Sequence, residues 1–256
     1  MEDQNKQYLA EYLIAMGDDE LILGHRNSEW CGHAPILEED IAFANIAVDE
    51  IGHARVWYSL AAKLLGEDVT TYPDKLVFFR NPTEYRSIQL VSLGNGDWAN
   101  TILRQYLLDA YEMVHLTYLA KSNYAPLAEA VKKVQNEEIY HLRHSIAWVQ
   151  RLGLGTDESH QRMQTALTSL WPYAQELTGP MPHDKELSDA GLLLDSKVVR
   201  LEWETMVKDF LSQTSLPVPE ELTGVSVSRL KQPDILIKLV TEMQEVARLE
   251  SQAVRW

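Results

Sequence analysis

Two tetrads in this chain, Glu50-Ile51-Gly52-His53 and Glu138-Ile139-Tyr140-His141, share the pattern Glu-x-x-His. Residues three apart on a helix lie on one face, so each pair can reach a common ion. A lone pair of this kind is a weak signal and belongs more often to a solvated face. Here each pair falls in the middle of an apolar stripe, and so do two further carboxylates, Glu20 and Asp109. Glu20 precedes Glu50 by thirty residues and Asp109 precedes Glu138 by twenty-nine. Either interval suffices for a helix, a turn and the same depth on the next helix. Burying carboxylates is costly unless they pair or bind metal. No lysine or arginine lies on these stripes; Arg104 and Arg143 are near in sequence but off them. Four ionised carboxylates cancel the charge of two divalent ions. Carboxylate and imidazole donors suit iron or manganese, and the lack of thiolate argues against an iron–sulfur cluster. The competing reading is a relic that kept its ligands and lost its metal, with protons shared among the acids and histidines.

Other residues rank below these six. Glu112 and Glu137 could replace Asp109 or Glu138 if a helix were rotated, but Glu138 has the three-residue spacing to His141 that Glu137 lacks. His115 and His144 read as helix-flank residues, and Cys31 and Trp30 as packing in a turn. Tyr106, Tyr140 and Trp57 read as core.

The elements needed to position the six follow from helical periodicity. Four long helices are predicted: about 5–26, from just after Pro35 to Gly66, about 97–122, and from Pro126 to Gly153. The link between the third and fourth is short. The link from about Glu67 to Gly96 is long, and it predicts a ferritin-like four-helix bundle with one crossover connection. Beyond the bundle core (about 5–153), a C-terminal helical extension (about 157–256) is expected, the whole forming a single all-α domain. Its helices are predicted over 157–178 with a kink at Pro172, over 195–213 with Asp195 as cap, and from Pro233 towards Arg255, with a loop at Gly179-Pro180-Met181-Pro182.

Composition bounds the rest. The 256 residues are 45% hydrophobic and carry a net charge of −15. That balance repels phosphate backbones and anionic membrane surfaces, so neither nucleic acid nor membrane is an expected partner. One cysteine forms no internal disulfide. The polar, acidic start lacks the pattern of a signal peptide, and no apolar run is long enough to span a bilayer. A cytoplasmic protein is expected.

The segment Ser28-Glu29-Trp30-Cys31-Gly32-His33-Ala34-Pro35, with Leu37-Glu38, Ala42, Asn45-Ile46 and Asp49 to Arg55, resembles the C subunits of the phenylacetyl-CoA epoxidases (ring 1,2-monooxygenases). So do Arg104-Gln105-Tyr106, Asp109-Ala110, Tyr140-His141-Leu142-Arg143, Leu170-Trp171 and Glu242-Met243-Gln244. The resemblance implies a multicomponent oxygenase of phenylacetate catabolism that epoxidises the ring of phenylacetyl-CoA. It implies a related A subunit with the catalytic di-iron centre and the substrate, a C subunit that is its structural partner, and a separate reductase. The ligand pattern of the A subunits maps onto Glu20, Glu50, His53, Asp109, Glu138 and His141, which implies two iron ions. The chain departs from C subunits in two ways. It keeps all six positions where C subunits have lost several. It also lacks a Gly-rich His-Thr-Glu stretch before the last helix, reading Val227-Ser228-Arg229-Leu230-Lys231-Gln232 instead. A structural C subunit is therefore the leading expectation, ahead of an oxygenase in its own right and of a ferritin-like iron-binding protein.

Overall fold

In a computed structural model the described residues are 1–179, 181–219 and 228–249, and they contain helices and no strand. The bundle consists of α1 (Asp3–Ser28), α2 (Leu37–Leu65), α3 (Trp98–Leu119) and α4 (Ala125–Gly153). The helix ends are fixed by local chemistry. Gly66 takes the left-handed conformation that stops α2, at φ 76°. The Asp97 carboxylate accepts from Asn100 N at 2.9 Å and caps α3. Proline stands in the first turn of α4, where its missing N–H costs nothing.

The long link between α2 and α3 is not loose. It carries short helical turns at Tyr72–Asp74, Lys75–Phe79, Pro82–Glu84 and Gln89–Ser92. It runs alongside α1 in the direction of that helix. Arg80 and Arg86 N bond Asp18, Ile88 N bonds Asp19, and Ser92 O accepts from Arg26. The chain thus travels the length of the bundle before α3 begins, which is the crossover of a ferritin-like fold.

α1 and α2 approach each other closely beside Glu50. A Cβ on Gly24 would lie 2.9 Å from Ala47 O and 3.1 Å from Glu50 Cβ. A backbone oxygen cannot swing aside, so glycine there lets α1 lie close to α2 beside Glu50.

The C-terminal helices are α5 (Asp157–Ala174), the short α6 (Asp184–Asp189), α7 (Ser196–Gln213) and α8 (Asp234–Leu249). Asp195 caps α7 through Lys197 N, as expected. The helix expected to reach 178 ends at Ala174 instead, two residues past Pro172, and three-residue turns at Glu176 and Leu177 replace it. α6 has no counterpart among the predicted helices, and the part of the last helix expected beyond 249 lies outside the described residues. α5 and α7 cover α3: the Trp171 and Trp203 rings stack at 5.5 Å, and Trp203 Nε1 donates to Leu107 O.

Candidate metal centre

All six residues singled out by spacing converge in the interior. Glu50, Asp109, Glu138 and His141 are fully buried, His53 is 2% exposed and Glu20 4%. One helix supplies each partner: α1 gives Glu20, α2 gives Glu50 and His53, α3 gives Asp109, and α4 gives Glu138 and His141. Glu20, Glu50, His53 and Glu138 offer donor atoms that all lie within 4.8 Å of one another. A second such group consists of Asp109, Glu112 and Glu138. Glu138 is common to both. His141 adjoins them, its Nδ1 3.3 Å from Glu138 and 3.7 Å from Glu50.

The two imidazoles are oriented alike. Each turns Nδ1 inwards, to the carboxylates, and Nε2 outwards, to an acid on the other helix. His53 Nε2 meets Glu137 at 2.7 Å, and His141 Nε2 meets Asp49 at 3.4 Å. These outer acids are the residues immediately before the two Glu-x-x-His motifs. An outer carboxylate of this sort fixes the ring and raises the basicity of the nitrogen facing a metal. Glu137 is therefore not a replacement for Glu138 but a partner of the opposite histidine.

Further hydrogen bonds hold the carboxylates. Gln105 Nε2 donates to Glu50 at 3.1 Å and to Asp109 Oδ1 at 2.7 Å, and is itself oriented by Asn27 Nδ2, which donates to Gln105 Oε1. Ser145 Oγ donates to Asp109 Oδ2 at 2.6 Å. Trp57 Nε1 donates to Glu20 at 3.1 Å. Yet Glu20 Oε2, Glu50 Oε2, both oxygens of Glu138 and the Nδ1 atoms of His53 and His141 are buried without a hydrogen-bond partner. Unsatisfied buried groups on this scale are expensive. They point at one another, and a donor set of carboxylates and inward imidazole nitrogens is what divalent first-row metals take. The residues fit a metal pair.

Charge in the cluster follows from that crowding. Burial, reinforced by Glu138 and Glu20, pushes Glu50 well above the usual carboxylate range. Burial also raises Glu20, against the pull of its hydrogen bonds and His53, and with Glu138 it lifts Asp109 to about 7. Burial would raise Glu138 too, but the two histidines outweigh it and hold Glu138 below the ordinary range. Burial would lower the imidazoles; Glu138 and Glu20 around His53, and Glu138 and Asp109 around His141, hold both up at about 9. The metal-free cluster thus keeps its protons on the imidazoles and the outlying acids.

Several secondary expectations need correction. His115 is not on a flank: it is 5% exposed and its Nε2 lies 2.6 Å from Tyr12 OH. His144, by contrast, lies at the bundle edge as expected, against Glu39 at 2.7 Å. Tyr140 is 53% exposed, and Cys31 is exposed, so neither belongs to the packing. Tyr106 and Trp57 are core residues. Arg104 is fully buried but bonds Leu93 O and Asn95, away from the cluster.

His115 carries a pH dependence. Burial, helped by Arg229, pushes it down to about 3. The unfolded imidazole titrates near ~6.5. Between those values the unfolded chain binds the extra proton, so stability falls as pH drops below about 6.5. Its limiting slope is about 1.4 kcal/mol per pH unit. Urea melts at pH 7 and pH 5 are expected to differ by about 2 kcal/mol more in the wild type than in His115→Gln. Equal differences would show that His115 is not the group responsible.

Among the described residues no helix is long and apolar enough to cross a membrane. Residues 1–256 match the family described as phenylacetic acid catabolic protein. The chain belongs to that family. It is 41% identical over 213 residues, 83% of this chain and 85% of the relative, to the C subunit of the 1,2-phenylacetyl-CoA epoxidase of Escherichia coli (strain K12). It is 25% identical over 228 residues, 89% of this chain and 71% of the relative, to the A subunit of the same epoxidase in that organism. Within this family, then, the chain is closer in sequence to the first of these two relatives than to the second.

Proposed function

We propose that this chain is the C-type subunit of a phenylacetyl-CoA epoxidase, pairs with an A-type subunit in the cytoplasm, and holds two metal ions, iron in the first instance, in its buried cluster. The likeness to the C-type relative over most of both chains carries the assignment. The unsatisfied inward donors support the metal. Glu20, Glu50 and His53 would hold one ion, Asp109 and His141 the other, with Glu138 shared between them. Bound iron would supply redox and Lewis-acid chemistry towards oxygen. The chain's own groups do the positioning: Trp57 fixes Glu20, Gln105 and Ser145 fix Asp109, and Glu137 and Asp49 set the two rings. In the complex, the A-type partner would bind phenylacetyl-CoA and a separate reductase would supply electrons.

The test is co-expression with a tagged A-type partner. Stoichiometric co-purification that survives gel filtration is expected. A chain that elutes alone would end the assignment. The complete ligand set favours a second reading, in which this chain is itself the oxygenase. Reconstituted complexes separate the two: if this chain's centre performs the chemistry, Glu138→Ala in it abolishes epoxidation, and if the chain is a structural partner, turnover persists.

A further inference from the structure

Two carboxylates of α3, not one, face the cluster. Asp109 and Glu112 are three residues apart on that helix, and both belong to the group that includes Glu138. Their situations differ. Asp109 has a hydrogen-bond donor on each oxygen, Gln105 on Oδ1 and Ser145 on Oδ2. Glu112 is 7% exposed, and its Oε2 is buried with no partner. Glu138 accepts no aligned hydrogen bond either, though its Oε1 lies 3.1 Å from His53 Nδ1 and 3.3 Å from His141 Nδ1. Ionising two buried carboxylates side by side carries a cost in the metal-free chain. A cation between them removes it.

We propose that Glu112 is a direct donor to the ion at the Asp109–Glu138 position, giving it three carboxylates beside His141, as Glu20, Glu50 and Glu138 stand beside His53 at the other. This rests on the metal-binding reading above and adds a seventh donor to its six. With Glu138 counted at both, each position then has the same donor set, three carboxylates and one inward imidazole nitrogen. Carboxylate-rich donor sets accept Mn²⁺ as well as Fe²⁺. Manganese, which carboxylates suit and whose free ion is read directly by electron paramagnetic resonance, is therefore the probe.

The experiment titrates the full-length, metal-free chain with MnCl₂, following heat release and the loss of the free-ion electron paramagnetic resonance signal. The wild type is expected to take two ions. Glu112→Gln, which keeps shape and removes the charge, is expected to retain one at wild-type affinity and to bind the other about tenfold or more weakly, since loss of an outer partner alone costs that much. Glu20→Gln should weaken the other ion, and the double variant should weaken both. Melting of the metal-free Glu112→Gln protein should stay near the wild-type temperature, because burial already disfavours the ionised form of Glu112 and the amide keeps its shape. Should that variant fold poorly, Glu112→Asp keeps the charge but withdraws the oxygens, and the same selective weakening is expected of it. Two ions bound by Glu112→Gln with both affinities unchanged would overturn the role of Glu112 and leave the six-donor reading standing. A wild type that takes up neither manganese nor iron would overturn both.

Discussion

Glu138→Ala is expected to empty both halves of the cluster at once, taking iron content from about two ions per chain, the count usual for such a bundle, to near zero. The reason is its place in the geometry. Glu138 is the one residue common to both donor groups, and it lies 3.1 Å from His53 Nδ1 and 3.3 Å from His141 Nδ1. Glu20→Ala, by contrast, should cost one ion, because Glu20 belongs to one group only. Mass spectrometry of metal in protein produced with ample iron reads both outcomes. A thermal melt gives an independent reading. Metal at a hundred times its dissociation constant stabilises a folded chain by about 2.7 kcal/mol. For a chain of this size that is a rise of roughly 5–10 °C, absent in Glu138→Ala. Loading also has a pH signature. Both imidazoles must lose the protons that the surrounding carboxylates hold up to about 9. Apparent affinity should therefore rise with pH below that value, by up to about tenfold per unit for each histidine, and protons should be released on binding. Iron retained by Glu138→Ala, or affinity that is flat between pH 6 and 8, would remove the cluster as the binding site.

The legible part of this centre was the part that repeats. Two Glu-x-x-His motifs in phase with apolar stripes, each with a carboxylate a helix earlier, placed six residues at one depth, and the structure brings those six together. Periodicity also located the four long helices to within a few residues. What it could not resolve was rotation within a helix. Asp109 and Glu112 are three apart on α3, so both can face the cluster, and spacing alone does not say whether one or both reach it. Nor could spacing show that Glu137 and Asp49 each serve the histidine of the opposite helix. That pairing depends on how α2 and α4 lie against each other, and no local pattern encodes it. The only available signal was an acid directly before each motif. The burial of His115 is hidden for a similar reason: its partner, Tyr12, is 103 residues away on α1.

The link between α2 and α3 was the least legible element, since it has no periodicity, and its anchor gives the largest expected change in stability. Asp18 is fully buried on α1. Its carboxylate accepts from Tyr58 OH at 2.7 Å, Arg80 Nη2 at 2.5 Å and Arg86 N at 2.7 Å. One side chain thus ties α1 to α2 and to two points of the crossover. Arg80, held above its usual range by Asp18 against the opposing effect of burial, is itself only 11% exposed in its side chain. Asp18→Ala strands that guanidinium, a tyrosine hydroxyl and a backbone N–H. Breaking a buried ion pair from one side costs about 3–5 kcal/mol, so a fall in melting temperature of roughly 6–20 °C is expected. Asp18→Asn, which keeps an acceptor oxygen but not the charge, should lose less. A loss under about 1 kcal/mol in Asp18→Ala, the range of an exposed pair, would mean that the crossover is not anchored there. The effect should reach the metal as well. Asp18 and Asp19 precede Glu20 directly, and Asp19 holds Ile88 N and Arg229 in the same layer. Freeing the crossover loosens the stretch of α1 that presents Glu20, so Asp18→Ala should weaken the ion at the Glu20–His53 position while leaving the one at Asp109 in place.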